Sequence, residues 1–202
     1  MKRFPSTVHV IGAGGHAKVV VATIRAAGGE VGRILDDDPA LHGRRLLGAA
    51  IGGPVTMDLL RGAPAVIAVG DNATRRELAR RLDAEWIAVC HPSAVVHASV
   101  TIGPGTVVFA GVVIQPDTTI GAHAIVNTGA TIDHDCRLGD FVHVGPGVSL
   151  CGGVAVGDGA LLGVGARVCP SLRIGAGAVV GAGAACVADV ADGARVVGVP
   201  AR

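Results

Sequence analysis

From Cys90 to Cys186 every sixth residue is aliphatic or small and apolar, seventeen positions without a break. The series is Cys90, Val96, Ile102, Val108, Ile114, Ile120, Val126, Ile132, Leu138, Val144, Leu150, Val156, Leu162, Val168, Ile174, Val180 and Cys186. The residues two positions before each, from Ala88 through Thr118 and Cys136 to Ala184, are small or apolar as well. A helix repeats every 3.6 residues and a strand every two, so neither holds a period of six. A hexapeptide repeat is the signature of a parallel β-helix, in which each hexad is one short strand and a turn. Three hexads close one triangular coil, so seventeen make about five and a half coils.

The composition agrees with that fold. Half of the 202 residues are hydrophobic, yet aromatics are only 2%, with no Tyr, one Trp and 32 Gly. Globular cores normally use aromatic rings as fillers. The narrow interior of a β-helix instead stacks Val, Ile, Leu and Ala, and its corners need Gly. The net charge of +1 provides no basic surface for nucleic acid or for an anionic membrane. The five cysteines, Cys90, Cys136, Cys151, Cys169 and Cys186, form no C-x-x-C pair, and most fall at interior slots of the repeat. They read as reduced small hydrophobes of a cytoplasmic protein. After the basic start Met1-Lys2-Arg3-Phe4, the apolar run Val8–Ile11 is too short for a signal peptide. No uninterrupted apolar stretch of about 18 residues suggests a membrane span.

Before Ala88 the pattern changes. Val8–Ile11, Val31–Leu35, Ala65–Val69 and Trp86–Val89 read as strands, and His16–Ala27 and Thr74–Leu82 as helices. A Gly- and Arg-rich loop surrounds Gly43-Arg44-Arg45, and a short helix is expected from Gly53 through Leu60. This order implies a parallel sheet with helices on its faces. The expected organisation is therefore an α/β Rossmann-like domain over residues 1–87, then a β-helix over 88–202 with a C-terminal tail. After Val180 the hexads fade, and the tail is expected to cover the far end of the solenoid or one of its sides.

Several motifs could carry chemistry. Gly12-Ala13-Gly14-Gly15-His16-Ala17 lies between a strand and a helix and fits G-x-G-x-x-G/A. It could bring backbone and helix N-terminus to a pyrophosphate, or be a plain tight turn. Asp36 and Asp37 end the second strand, on the edge where doubly wound sheets bind ligands; a solvated turn before Pro39 is the other reading. Gly70-Asp71-Asn72 ends the third strand as a helix cap, a pocket wall, or both. Within the repeat, Asp133-His134-Asp135 is the sharpest departure from apolar residues. A histidine beside a carboxylate suits general base work, and a charged, solvated turn is the alternative. His143 is nine residues on, so the two cannot share a corner column of one chain. They meet only along a face or across a subunit boundary. His91, His97 and His123 read as surface or rim residues, and Arg44, Arg45, Arg75 and Arg76 as solvated. No spacing supplies the three or four ligands of a zinc site.

Together the glycine turn, Leu35-Asp36-Asp37, Gly70-Asp71-Asn72, Val126-Asn127-Thr128, Asp133-His134-Asp135-Cys136, Gly139-Asp140-Phe141-Val142-His143-Val144 and Gly198-Val199-Pro200-Ala201-Arg202 resemble a known family. The whole chain is similar to the bacterial sugar O- and N-acetyltransferases that join a nucleotide-binding domain to a left-handed β-helix. That group includes sialic acid O-acetyltransferases and N-acetyltransferases of nucleotide-linked 4-amino-4,6-dideoxy sugars. The resemblance implies a cytoplasmic homotrimer with active sites between neighbouring β-helices, and acetyl-CoA as co-substrate without a metal. It implies His134 as general base with Asp135 as its acidic partner. Gly12, Gly14, Gly15, His16, Asp36, Asp37, Asn72 and Asn127 would hold the nucleotide-linked amino sugar, and His143, Gly152 and Val164 the acetyl-CoA. N-acetylation of the sugar C4 amine is the expected reaction, with O-acetylation of a sialic acid as the alternative. A scaffold would need neither the Asp-His-Asp turn nor the glycine turn. A carbonic-anhydrase-like metal trimer would need a third histidine beside His134 and His143.

Overall fold

The structure is a computed structural model that describes residues 5–56 and 60–202. The basic start and part of the short helix expected through Leu60 lie outside the described residues, and Pro54–Thr56 are not helical. The N-terminal part is a parallel four-stranded sheet in the order β2 (Glu30–Leu35), β1 (Thr7–Ile11), β5 (Pro64–Ile67), β6 (Glu85–Trp86). α1 (Gly15–Ala26) crosses from β1 to β2, and α2 (Asn72–Arg81) from β5 to β6. α1 buries Ala17, Val20, Val21 and Ile24, the i, i+3, i+4, i+7 stripe of an amphipathic helix. It stops at Gly28, whose positive φ lets Gly28 and Gly29 donate back to Arg25 and Ile24. α2 starts at Asp71, whose carboxylate accepts from the Thr74 backbone N–H at 2.8 Å.

Two details differ from the sequence reading. The Gly- and Arg-rich loop contains an antiparallel hairpin, β3 (Arg45–Leu46) with β4 (Ala49–Ala50), closed by Leu47 and Gly48, both at positive φ. The expected last strand is two: Glu85–Trp86 completes the sheet, whereas Val89–Cys90 pairs with Val107–Val108 and begins the solenoid.

Among the described residues, eighteen two-residue strands make the solenoid, in three parallel faces of seven, six and five strands. The first face starts at Val89–Cys90, the second at Val95–Val96 and the third at Thr101–Ile102. Residues pair eighteen apart, as Val107 with Ile125 and Ile125 with His143. Eighteen strands make six coils, more than the repeat alone indicates. The tail adds Arg195–Val196 to the first face, sixteen residues after Val179–Val180. That coil is two residues short, which breaks the count of six.

The hexad positions from Val108 to Cys186 are buried in one continuous core, together with the alternate slots from Val112 to Ala184, of which Leu172 is only partly buried. Two threonines in those slots, Thr106 and Thr118, are fully buried and satisfied. The hydroxyls donate to the Gly121 and Asp133 carbonyls, both at 2.8 Å. Cys136 and Cys186 are interior as expected, but Cys151 is partly exposed and Cys169 exposed, since each follows an inward residue. A Cβ on Gly103 would overlap the backbone of Gly121 one coil on, which is why that corner needs glycine.

The first face carries the N-terminal domain. Its outward residues Val89, Val107 and Ile125, with Phe109, are at most 1% exposed and share one core with Val8, Val10, Val20 and Ile24. Each such buried side chain contributes about 1.5–3 kcal/mol, so the two parts are packed rather than merely tethered.

Candidate active site

The glycine turn is built by β1 and β2 together. Gly12 has φ +101°, and a Cβ there would come within 2.9 Å of the Val69 side chain. Its N–H donates to the Leu35 carbonyl at 2.8 Å, and the next N–H, of Ala13, to Asp36 Oδ2 at 2.6 Å. Asp36 Oδ1 accepts from the Asp38 N–H, so its carboxylate shapes the turn. Asp37 stands apart, accepting from the Val55 N–H and from Arg81, and these hydrogen bonds hold its pKa below the usual carboxylate range. Beyond the turn, Gly14 and Gly15 are exposed with open space around them. α1 starts there with no side-chain cap and no acidic residue in its first turn. Bare N–H groups and a positive dipole end make an anion site. His16, in that first turn, packs edge-on to Phe109 with centroids 5.4 Å apart. Its Nε2 is buried without a partner among the described residues. Burial, then His143 and Arg75, push its pKa down to about 4, so the ring is neutral.

A polar seam joins the two parts, and its centre was not legible in the sequence. Arg75, read as solvated, is 1% exposed. Its guanidinium donates to the carbonyls of Val69, Gly70, His123 and Phe141 and to Asn72 Oδ1, at 2.8–3.1 Å. Its spacing offered one signal: Arg75 and Leu78 of α2 and Leu82, which caps it, fall at i, i+3 and i+7, an inward stripe. Asn72 donates onward to the Gly159 carbonyl at 2.9 Å. His123, read as a rim residue, is 5% exposed because the N-terminal sheet covers it. Its ring stacks on Phe141 at 5.2 Å and meets Trp86 edge-on. Burial, then Arg75, push its pKa down to about 4. His143 lies next to this seam. Its Nδ1 is 3.2 Å from the Gly70 carbonyl, and its Nε2 is 3.5 Å from Asn127 Nδ2. Burial, then Arg75, lower its pKa.

His134 stands on the corner between the second and third faces. Its Nδ1 is 2.7 Å from Asp135 Oδ2, and its backbone N–H donates to Asp133 Oδ1. Asp135 holds φ +59°, the left-handed corner conformation shared down the column by Asp117, Gly153 and Ser171. The imidazole is exposed, and its pKa is raised by the Asp135 hydrogen bond and by the Asp133 charge. Gly152, one coil on, lies against the ring: a Cβ there would stand 2.7 Å from Cε1 and Nε2. Asp133, His134, Asp135, Gly152, Gly153 and Ser171 line a hollow of about 450 Å³. A larger cleft of about 910 Å³ lies elsewhere, between the start of α2 and the first face, lined by Asn72, Arg76, Arg80, Phe141, Leu161 and Val179. The chemistry is read from His134, where a carboxylate on Nδ1 leaves Nε2 beside the hollow; no histidine lines the larger cleft.

One chain thus brings the expected residues together in separate groups. Gly12, Gly14, Gly15, His16 and Asp36 form the turn, and Asn72, Asn127 and His143 lie along the adjoining seam. His134, Asp135 and Gly152 form a corner on the edge of the triangle opposite the first face. Val164, 56% exposed, stands on the corner between the first and second faces. No group of three or more metal-ligating side chains occurs among the described residues. No helix among them is long and apolar enough to cross a membrane.

Comparisons with known proteins bear on the whole chain. Residues 7–82 match the family model of the PglD N-terminal domain. The perosamine N-acetyltransferase of Caulobacter crescentus, solved with CoA and GDP-perosamine, is 46% identical with a TM-score of 0.93, covering 97% of this chain and 95% of that one. The acetyltransferase domain of PglB from Neisseria gonorrhoeae FA1090, solved with acetyl coenzyme A, is 36% identical with a TM-score of 0.88, covering 98% of each. The UDP-N-acetylbacillosamine N-acetyltransferase of Bacillus subtilis (strain 168) is 42% identical over 111 residues, so the match spans about half of each protein, 51%.

Proposed function

The chain belongs to the hexapeptide-repeat sugar N-acetyltransferases, enzymes with acetyl-CoA as co-substrate, and we propose that it acetylates the C4 amine of a nucleotide-linked 4-amino-4,6-dideoxy sugar. The observation that carries this reading is the His134–Asp135 pair. With Asp135 bound to Nδ1 at 2.7 Å, the proton of the neutral ring sits on Nδ1 and the Nε2 lone pair faces the 450 Å³ hollow. Nε2 takes the amine proton as the nitrogen attacks the thioester carbonyl, and the carboxylate stabilises the imidazolium. The C–N bond forms, the C–S bond breaks, and the proton passes to the leaving CoA thiolate. A backbone N–H at a coil corner suits the oxyanion. No covalent enzyme intermediate is needed.

The bare start of α1 at Gly14 and Gly15 suits the pyrophosphate of the sugar nucleotide, with His16, Asp36, Asp37, Asn72 and Asn127 around it. The His134 corner lies opposite the face that carries this turn, so the two meet only if a second copy of the chain supplies one of them. A homotrimer with sites between neighbouring β-helices satisfies this, with His143 from one copy and Gly152 and Val164 from the next along acetyl-CoA. The reduced cysteines fit a cytoplasmic enzyme.

The test is thiol release from acetyl-CoA against UDP-, GDP- and dTDP-linked 4-amino-4,6-dideoxy sugars and free and CMP-linked sialic acid. Turnover of one amino sugar is expected, with a loss of about 10²–10⁴-fold in His134→Ala. Turnover of sialic acid alone moves the acceptor from amine to hydroxyl, and an unchanged His134→Ala rate removes His134 from the mechanism.

A further inference from the structure

Arg75 is buried with its five hydrogen bonds going to four backbone carbonyls and one amide oxygen, none to a carboxylate. A buried cation without a hydrogen-bonded counterion is costly, so its position calls for a reason. Two of those bonds reach Val69 and Gly70, in the link between β5 and α2, and the Gly70 carbonyl is also the partner of His143 Nδ1.

The direction of the hydrogen bonds around His143 is set by chemistry at both ends. The Gly70 carbonyl can only accept, so His143 carries its proton on Nδ1. At the other end the Thr128 backbone N–H can only donate. The Asn127 atom 2.8 Å from it is therefore Oδ1, which turns Asn127 Nδ2 toward His143 Nε2. An NH₂ group can only donate, so Nε2 must be an unprotonated acceptor. The two ends, fixed independently, demand the same neutral tautomer. A protonated His143 would set an N–H against the Asn127 NH₂.

We infer that Arg75 is a positioning residue: by fixing the Gly70 carbonyl, it helps hold His143 as the Nδ1–H tautomer, whose Nε2 can accept one Asn127 N–H and leave the other for a ligand. Among the described residues that second Asn127 N–H has no partner. The charged and titratable groups facing His143 are Arg75 on α2 and His16 on α1; its strand neighbours Ile125 and Leu161 are apolar. Burial and the Arg75 cation both disfavour the imidazolium. The tautomer follows from geometry alone; only the effect on turnover rests on the acetyl-transfer reading.

The test is ¹⁵N NMR of histidine-labelled full-length protein at neutral pH, with His143 assigned by its absence in His143→Asn. The wild type should show a protonated Nδ1 and an unprotonated Nε2. In Arg75→Met, a buried side chain of similar length, the Nδ1–H preference should weaken, since only the Asn127 end still demands it, and kcat/KM for the nucleotide sugar should fall about tenfold. An Nε2–H tautomer in the wild type overturns the inference without any variant, so it is decided even if Arg75→Met does not fold. A folded Arg75→Met with unchanged His143 signals also overturns it. Absence of acetyl transfer by a wild type that shows the Nδ1–H tautomer overturns the reaction and leaves the hydrogen-bond chain standing.

Discussion

Gly152→Ala should separate catalysis from folding at the His134 corner. The added Cβ would lie 2.7 Å from both Cε1 and Nε2 of His134 and 3.3 Å from Cδ2. Carbon atoms in contact settle at about 3.5–4.0 Å, so the ring must retreat by roughly 1 Å. It has room to do so, because the His134 side chain is 59% exposed, but the move pulls Nδ1 from Asp135. A misplacement of about 1 Å at a reacting group costs about 10²-fold in rate, the lower end of what losing a general base costs. The fold should survive, since Gly152 does not occupy the left-handed region. Its neighbour supplies the opposite case: Gly153 sits at φ +73°, and a Cβ there meets Ser171, with Oγ nearest at 3.2 Å. Gly153→Ala should cost about 1–2 kcal/mol from that backbone conformation, or roughly 2–8 °C in Tm for a chain of this size, with a smaller loss of kcat than in Gly152→Ala. Initial rates of thiol release at saturating substrates, with thermal melts of both variants, make the comparison. A Gly152→Ala enzyme with wild-type kcat would refute the argument, because the imidazole would then not need the place the structure gives it.

Three further outcomes are expected. Asp135→Asn removes the main cause that raises the His134 pKa, so the pH at which the base becomes half active should fall toward its ordinary value near 6.5; pH–rate profiles that superimpose would show that Asp135 does not tune it. His123 has its pKa lowered to about 4, so between about pH 6.5 and 4 the unfolded chain binds a proton that the folded chain does not. Its contribution to stability is complete above that window and is lost as pH falls through it, up to about 3 kcal/mol; urea midpoints should drop on acidification, less steeply in His123→Phe, and an equal slope in that variant would assign the acid sensitivity elsewhere. Asp36→Ala should raise KM for the nucleotide sugar far more than for acetyl-CoA, because the carboxylate shapes the glycine turn through the Ala13 N–H; equal effects on both would make Asp36 a purely structural residue.

What could be read from residue order was what repeats or is local. The hexads from Cys90 to Cys186 specify the solenoid because every coil demands the same small apolar side chains at the same slots. The glycine turn, both helices, the strand end before Asp36 and the helix start at Asn72 follow from short-range patterns in the same way. The hairpin at Leu47–Gly48 escaped because two-residue strands carry no periodicity, and the last coil because it is two residues short. Only tertiary structure could bury Arg75 and His123, since their partners are distant: the Arg75 bonds to the His123 and Phe141 carbonyls span 48 and 66 residues. The same holds for the site. The sequence marks Asp133-His134-Asp135 and the glycine turn as chemical, each through its own neighbours. That the first stands on a corner opposite the face carrying the second is decided by how six coils stack and which face the N-terminal domain covers, a matter of packing between residues far apart in the chain.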